Sequence, residues 1–296
     1  MDFQGYELDE NGDRLLVRGI RDFDPVHVFE CGQCFRWQKQ ADGSYTGVVA
    51  GRVVNVLCRD GSLEIMGSTI EEFKALWFNY FDLGRDYGEI KKKLAKMDTN
   101  MKAAVEFGHG IRLLRQDLWE MLISFIISAN NRIPMIMKIV DAISRMYGDE
   151  IESGGQSFHA FPRVEKLAGS CIEELEVCRG GFRCKYILNT SRMLKEGTVR
   201  LDSLPQMSSA QAREELNRLP GVGNKVADCV LLYSGTKYDV FPTDVWVKRV
   251  MEELYFKREA SFREIQEFSA DYFGSLSGFA QQYLFYYARE NKIGVR

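Results

Sequence analysis

Residues 216–251 read LNRLPGVGNKVADCVLLYSGTKYDVFPTDVWVKRVM. The run AREELNRL that leads into them is amphipathic, with Leu216 and Leu219 as its apolar contacts. Pro220-Gly221-Val222-Gly223 then forces a sharp turn, because glycine reaches backbone conformations that other residues avoid. KVADCVLLYS resumes a helix with Val226, Cys229, Val230 and Tyr233 along one face. The spacing therefore predicts helix, glycine hairpin and helix over residues 210–235. Such a device offers unpaired N–H groups and the positive end of a helix dipole to an anion. A DNA phosphate fits, and contacts of that kind position a protein without reading bases. An ordinary helical turn is the competing reading, and P-G-x-G alone does not separate the two.

Lys225 separates them. It falls in the first turn of the second helix, where the dipole disfavours a cation and so favours the free amine, which is a nucleophile. Asp244 follows within FPTDVWVKRV, where Thr243 or Asp244 can cap a helix running through Val250. Capping is sufficient reason for an aspartate there. The further expectation is that its carboxylate comes near Lys225. Amine and carboxylate beside a DNA-gripping hairpin suit one reaction. The amine attacks the sugar carbon that bears a base and the base leaves. The carboxylate stabilises the developing positive charge and helps proton transfer.

Composition narrows the alternatives. At 296 residues, the chain can hold one large domain or two moderate ones. The net charge of −3 argues against nonspecific coating of nucleic acid and leaves room for a local basic face. No apolar run reaches the roughly 18 residues that span a bilayer. The N-terminal MDFQGYELDENGDR is acidic and polar, unlike a signal peptide. A cytoplasmic monomer with no membrane partner is expected. The seven cysteines form no regular framework. Cys31 and Cys34 make a C-x-x-C pair without a second ligand pair or a thioredoxin-like setting, so neither metal nor redox work is expected of them.

The rest of the chain divides in two. Residues 13–66 carry short β-branched and aromatic runs (DRLLVRG, CFRWQKQ, YTGVVAGRVVNVLCR, SLEIMG) punctuated by glycine turns. They predict a meander-like antiparallel sheet of about five strands. From Thr69, a helix N-cap, apolar spacing becomes helical and stays so. DLWEMLISFIIS is nearly all apolar and should be the central buried helix. The fold class is α+β: a β-rich domain with flanking helices over residues 1–112, then an all-helical body over residues 113–296.

LPGVGNKVADCV followed by PTDVW closely resembles the helix-hairpin-helix, Gly-Pro-Asp type DNA glycosylases with lyase activity, and within them the 8-oxoguanine DNA glycosylase/AP lyases. The resemblance covers nearly the whole chain, since a β-rich domain before the helical body is typical of that branch. It implies that Lys225 forms a Schiff base and that Asp244 is essential. It implies that the Gly32 carbonyl, in CGQCFRW, accepts the N7 hydrogen that 8-oxoguanine has and guanine lacks. In GFAQQYLFYY, Gln281 would read the Watson–Crick edge of the flipped base and Phe285 would stack on it, with Cys229 on the opposite face. Asn130 would fill the gap in the duplex. Phe182 would be an aromatic wedge, and Arg183 would contact the orphan base. Gly221, Gly223 and Val226 would meet the DNA backbone. Hairpin carbonyls near Asn217, Leu219 and Val222 would hold a noncatalytic cation.

The sequence also departs from the family. Thr243 stands between the proline and the aspartate, as this branch tolerates. Met135 replaces an arginine that reads the opposite cytosine, so weak selectivity for that base is expected. Trp246 replaces a histidine that contacts phosphate. No cysteine follows Cys229, so no iron–sulfur cluster and no other cofactor are expected. The implied partner is double-stranded DNA containing 8-oxoguanine, in the cytoplasm and with the nucleoid if the source is prokaryotic. Another damaged base, or a noncatalytic DNA-binding module, remain as alternatives.

Overall fold

Alternating apolar and polar residues build the first layer. In the computed structural model, which describes residues 1–294, the strands are β1 (Asp2–Phe3), β2 (Tyr6–Asn11), β3 (Arg14–Arg18), β4 (Trp37–Lys39), β5 (Tyr45–Val49), β6 (Arg52–Arg59) and β7 (Ser62–Met66). They form one antiparallel sheet in the order β1-β2-β3-β7-β6-β5-β4. The sheet is larger than the sequence predicts and is not a simple meander. β3 pairs with β7, with Leu15 opposite Ile65, and β4 ends at the far edge. Residues 6–11 (YELDEN) were not expected to be a strand. Only Leu8 among them is buried, and the acidic residues that hide its strand character face solvent.

Leu15, Val17, Val54, Val56, Leu63 and Ile65 line the inner face of this sheet and pack with Phe73, Trp77 and Phe81. The last three come from a helical segment that opens with Thr69 as N-cap in a capping box with Glu72. A single wide turn over Phe73–Trp77 buries both of its aromatic ends.

The helices used below are α1 (Pro25–Phe29), α2 (Tyr87–Ala95), α3 (Thr99–Phe107), α4 (Leu118–Ser128), α5 (Ile133–Tyr147), α6 (Arg183–Lys195), α7 (Ser209–Asn217), α8 (Asn224–Tyr233), α9 (Val245–Met251), α10 (Phe262–Tyr272) and α11 (Ser277–Glu290). As expected, α4 is the buried axis: Met121, Leu122, Ile123, Ile126 and Ile127 have no exposed surface. The body is not purely helical. A two-stranded hairpin, β8 (Glu150–Ser153) with β9 (Gln156–His159), interrupts it. Among the described residues, no helix is long and apolar enough to cross a membrane.

Packing does not divide the chain at residue 112. Tyr87, Ile90, Leu94 and Met101 of α2 and α3 belong to the helical core, while Leu114 returns to the sheet core. The segment between α1 and β4 serves both. Val28, Phe29, Cys34 and Trp37 enter the sheet core, and Cys31 and Phe35 enter the helical one. Gly32 is thereby fixed at the junction of the two.

Candidate active site

Ser208 caps α7 in a capping box with Gln211, and Leu216 and Leu219 are buried beneath the hairpin. The Leu219 carbonyl accepts from the Val222 N–H at 3.2 Å, and Asn217 Nδ2 donates to Asn224 Oδ1 at 2.7 Å across the turn. Gly221 has φ +79°, and a Cβ there would meet the Tyr186 ring at 2.7 Å. Gly223 differs: it caps α8 without a side chain, and an added Cβ would meet nothing within 4 Å. The amides of Asn224, Lys225 and Val226 have no acceptor inside the helix, so three donors remain for an anion. The Val226 side chain itself is buried, which limits its expected DNA contact to its N–H. The two hairpin helices are joined by an ion pair, Arg213 Nε to Asp228 Oδ1 at 2.6 Å. Burial pushes the Asp228 carboxyl up to about 6, with Arg213 pulling the other way.

Lys225 and Asp244 line one cavity of about 130 Å³, together with Gly32, Cys229, Gln281 and Phe285. The sequence thus names six residues, from four parts of the chain, that meet in one place. A larger cleft of about 280 Å³ between β4, β5, α5 and β9 contains none of the six, so size is a poor guide here and the chemistry decides.

Lys225 Nζ donates to Ser128 Oγ at 3.3 Å and lies 5.3 Å from the centre of the Phe125 ring. Asp244 caps α9, its Oδ1 accepting from the Val247 N–H at 2.7 Å. Both of its expected roles are therefore compatible: one oxygen caps while the residue also lines the cavity. The loop before it is pinned by Gln266, whose Nε2 donates to the Phe241 carbonyl at 2.7 Å and to Thr243 Oγ1 at 3.0 Å. Nothing local in the sequence marks Ser128 and Phe125, whose partner Lys225 is about a hundred positions away, or Gln266, whose partners are 23 and 25 positions away.

The opposite wall is built to hold a planar polar ring. Gln281 is buried, and its Oε1 has no hydrogen-bond partner among the described residues. A buried amide oxygen left bare costs about 1–3 kcal/mol, so it is poised for an incoming donor. Phe285 presents its ring beside it, and Trp246 packs edge-on against that ring at 5.1 Å and 84°. Trp246, at the position where the resemblance has a histidine, thus supports the Phe285 ring. Gly32 has φ +91°, and a Cβ there would lie 3.2 Å from Phe285 Cε1; any other residue would be strained and would crowd the pocket. Gln33 fixes the following bond, with Nε2 donating to the carbonyls of Val28 (2.8 Å) and Arg112 (2.7 Å) and Oε1 accepting from the Leu114 N–H (2.8 Å).

Around the mouth, Asn130 is exposed with φ +50°, and Phe182 is 56% exposed at the start of α6. Both placements suit insertion into a duplex. Arg183 is placed differently from its expected role. It is buried, and its guanidinium donates to the carbonyls of Ala129, Asn130 (2.9 Å) and Gly180 (3.2 Å). In this structure it ties the Asn130 turn to the Phe182 turn, which engages four of its five N–H donors. Burial lowers its basicity.

The two buried thiols at the pocket, Cys229 and Cys31, are held protonated. Burial pushes Cys229 up to about 12, against the pull of Lys225, and Cys31 likewise to about 12. A thiol that stays protonated is no rival nucleophile. Asp24, His27 and His109 bring donor atoms within 4.8 Å of one another, but they suit no metal. The Gly110 N–H donates to His27 Nδ1 at 3.1 Å, whereas an imidazole ligating through Nε2 must carry its own proton on Nδ1.

This geometry has close counterparts. The family model of the 8-oxoguanine DNA glycosylase N-terminal domain matches residues 15–122, and that of the HhH-GPD superfamily of base excision DNA repair proteins matches residues 123–273. A probable N-glycosylase/DNA lyase of Methanothermobacter thermautotrophicus is 33% identical over 233 residues, 72% of this chain and 74% of that protein. An N-glycosylase/DNA lyase of Arabidopsis thaliana is 28% identical over 274 residues, 87% of this chain and 75% of that one. The Clostridium acetobutylicum 8-oxoguanine glycosylase/lyase, solved with double-stranded DNA containing cytosine opposite 8-oxoguanine, superposes with a TM-score of 0.94 at 47% identity, covering 97% of this chain and 99% of that one. The chain belongs to the HhH-GPD superfamily of base excision DNA repair proteins and carries the N-terminal domain of its 8-oxoguanine DNA glycosylases.

Proposed function

We propose that this protein removes 8-oxoguanine from duplex DNA and cleaves the strand at the resulting site. The observation that carries the reading is the single cavity in which Lys225 and Asp244 face Gly32, Gln281 and Phe285. The bare Gln281 Oε1 suits the N–H donors on the Watson–Crick edge of a guanine, and the amide nitrogen suits its O6. Phe285 offers a face for stacking.

The chemistry follows from the lysine. The Nζ lone pair forms a bond to C1′ of the sugar, and the bond from C1′ to the base breaks. The base leaves with that electron pair and takes up a proton. The amine sheds a proton, the sugar ring opens with its oxygen protonated, and an imine links Lys225 to C1′. Loss of a C2′ proton then expels the 3′ phosphate, and water releases the enzyme. Asp244 stabilises positive charge building on the sugar. Ser128 orients Nζ while leaving it a lone pair. The hairpin amides hold a phosphate of the same strand.

The same reading makes the protein a cytoplasmic monomer, nucleoid-associated if the source is prokaryotic, working on double-stranded DNA without membrane, cofactor or iron–sulfur cluster. A noncatalytic cation on the carbonyls of Asn217, Leu219 and Val222 is compatible with it, since hard carbonyl oxygens suit such an ion and the Leu219 oxygen keeps a second lone pair. Met135 is exposed on the first turn of α5. A thioether offers no hydrogen-bond donor, so little preference for cytosine opposite the lesion is part of the proposal. Excision of 8-oxoguanine opposite each of the four bases, with strand cleavage scored separately, tests it. Equal or better excision of thymine glycol or 3-methyladenine would replace the substrate.

A further inference from the structure

Helix α11 does more than line the pocket; it grips the turn that carries Gly32. Gln282 Nε2 donates to the Cys31 carbonyl at 3.1 Å. One helical turn past Phe285, Arg289 Nη2 donates to the Glu30 carbonyl at 2.6 Å. The same guanidinium lies 5.8 Å from the centre of the Phe285 ring and 5.3 Å from that of Tyr286, and its Nε is steadied by Glu290 Oε1 at 2.8 Å. The site is tight: the position of an added Cβ on Gly32 is 3.5 Å from Arg289 Nη1 and 3.2 Å from Phe285 Cε1.

The far end of the turn is already fixed, because Gln33 satisfies both of its amide groups on Val28, Arg112 and Leu114. The near end is held to α1 and the sheet, by the Glu30 N–H on the Val26 carbonyl at 3.0 Å and by Tyr45 on the Glu30 carboxylate, but neither contact is a lock to the pocket wall. Arg289 and Gln282 supply it from the helix that also bears Gln281 and Phe285. A charged planar donor suits the task, since a charge-assisted hydrogen bond is short and directional and a guanidinium also packs over an aromatic face.

We propose that Arg289 is a positioning residue for base choice: with Gln282, it clamps residues 30–32 onto α11, so that the Gly32 carbonyl keeps a fixed register with Gln281 and Phe285. The inference rests on the substrate reading above. Discrimination by one carbonyl requires that carbonyl to be placed within a fraction of an ångström. A misplacement of about 1 Å costs on the order of a hundredfold in rate.

The test uses the full chain with Arg289→Ala and Arg289→Lys. Three quantities are read: single-turnover excision of 8-oxoguanine, cleavage of a preformed abasic site, and amide hydrogen exchange over residues 30–33. The alanine variant is expected to lose roughly 10- to 100-fold in excision, to keep abasic-site cleavage, which needs Lys225 but no base, and to exchange faster at residues 30–33. Lysine, which can still reach the Glu30 carbonyl, should restore part of the excision rate. Unchanged exchange in Arg289→Ala overturns the clamp. Equal loss of both activities overturns its role in base choice and leaves a merely structural residue. Absence of 8-oxoguanine excision by the wild type, with exchange still accelerated in the variant, overturns that role through the substrate and leaves the grip on the turn standing.

Discussion

Lys225 Nζ donates to Ser128 Oγ at 3.3 Å, joining residues 97 positions apart in the chain. The Ser128 hydroxyl donates in turn to the Phe125 carbonyl at 2.7 Å. Its proton is thus committed, and its lone pairs face the lysine. The serine at the end of the buried helix therefore aims the nucleophile. Ser128→Ala is expected to slow the single-turnover excision step about tenfold by loosening that aim, with DNA affinity unchanged. A weaker Kd for DNA at an unchanged rate would show that Ser128 serves binding instead.

The two hairpin glycines should respond differently to alanine. Gly221 has a positive φ and lies against the Tyr186 ring, so Gly221→Ala strains both backbone and packing and should lower stability by about 1–3 kcal/mol. Gly223 has open space around it, and Gly223→Ala should leave the Tm close to wild type. It should weaken DNA binding, because the new methyl group stands where a phosphate approaches the α8 amides. Thermal melts paired with DNA titrations at fixed salt decide the matter. Equal melting losses in the two variants would contradict the division.

The Arg213–Asp228 pair gives a pH-dependent prediction. Burial raises the folded-state pKa of Asp228 from its ordinary value of 3.8 to about 6, so the folded protein holds this proton more tightly than the unfolded chain. The stability linked to this group is fully present below 3.8 and is lost as pH rises through about 6. Above that range the carboxylate needs Arg213. Arg213→Met should therefore cost about 3–5 kcal/mol at alkaline pH and less at pH ~5, where protonation relieves the unpaired charge. Arg213→Met with Asp228→Leu should recover most of the loss. Urea denaturation at the two pH values measures this. A loss independent of pH, or no recovery in the double variant, would contradict it.

How much of this was legible in the sequence depended on distance along the chain. The hairpin, Lys225 and Asp244 lie within one stretch, and glycines and caps act locally, so residue chemistry alone was enough to find them. Gly32, Gln281 and Phe285 became legible only through family resemblance. Ser128, Gln282 and Arg289 stayed hidden because each acts on a carbonyl or side chain that only the fold brings near. β8 and β9 were missed although Gly154 and Gly155, with φ +58° and +73°, mark a two-residue hairpin turn. The strands around them are mostly exposed and lack apolar alternation. For Arg183 the resemblance pointed to a base, whereas three backbone carbonyls hold its guanidinium here.

The central claim is that Lys225 attacks the sugar beneath 8-oxoguanine. Borohydride trapping on duplex DNA containing that base tests it most directly, because reduction fixes the imine as a permanent bond between protein and DNA. The wild type should give a covalent adduct, and Lys225→Gln should give none. An undiminished adduct in Lys225→Gln, or no adduct with the wild type, would contradict the account.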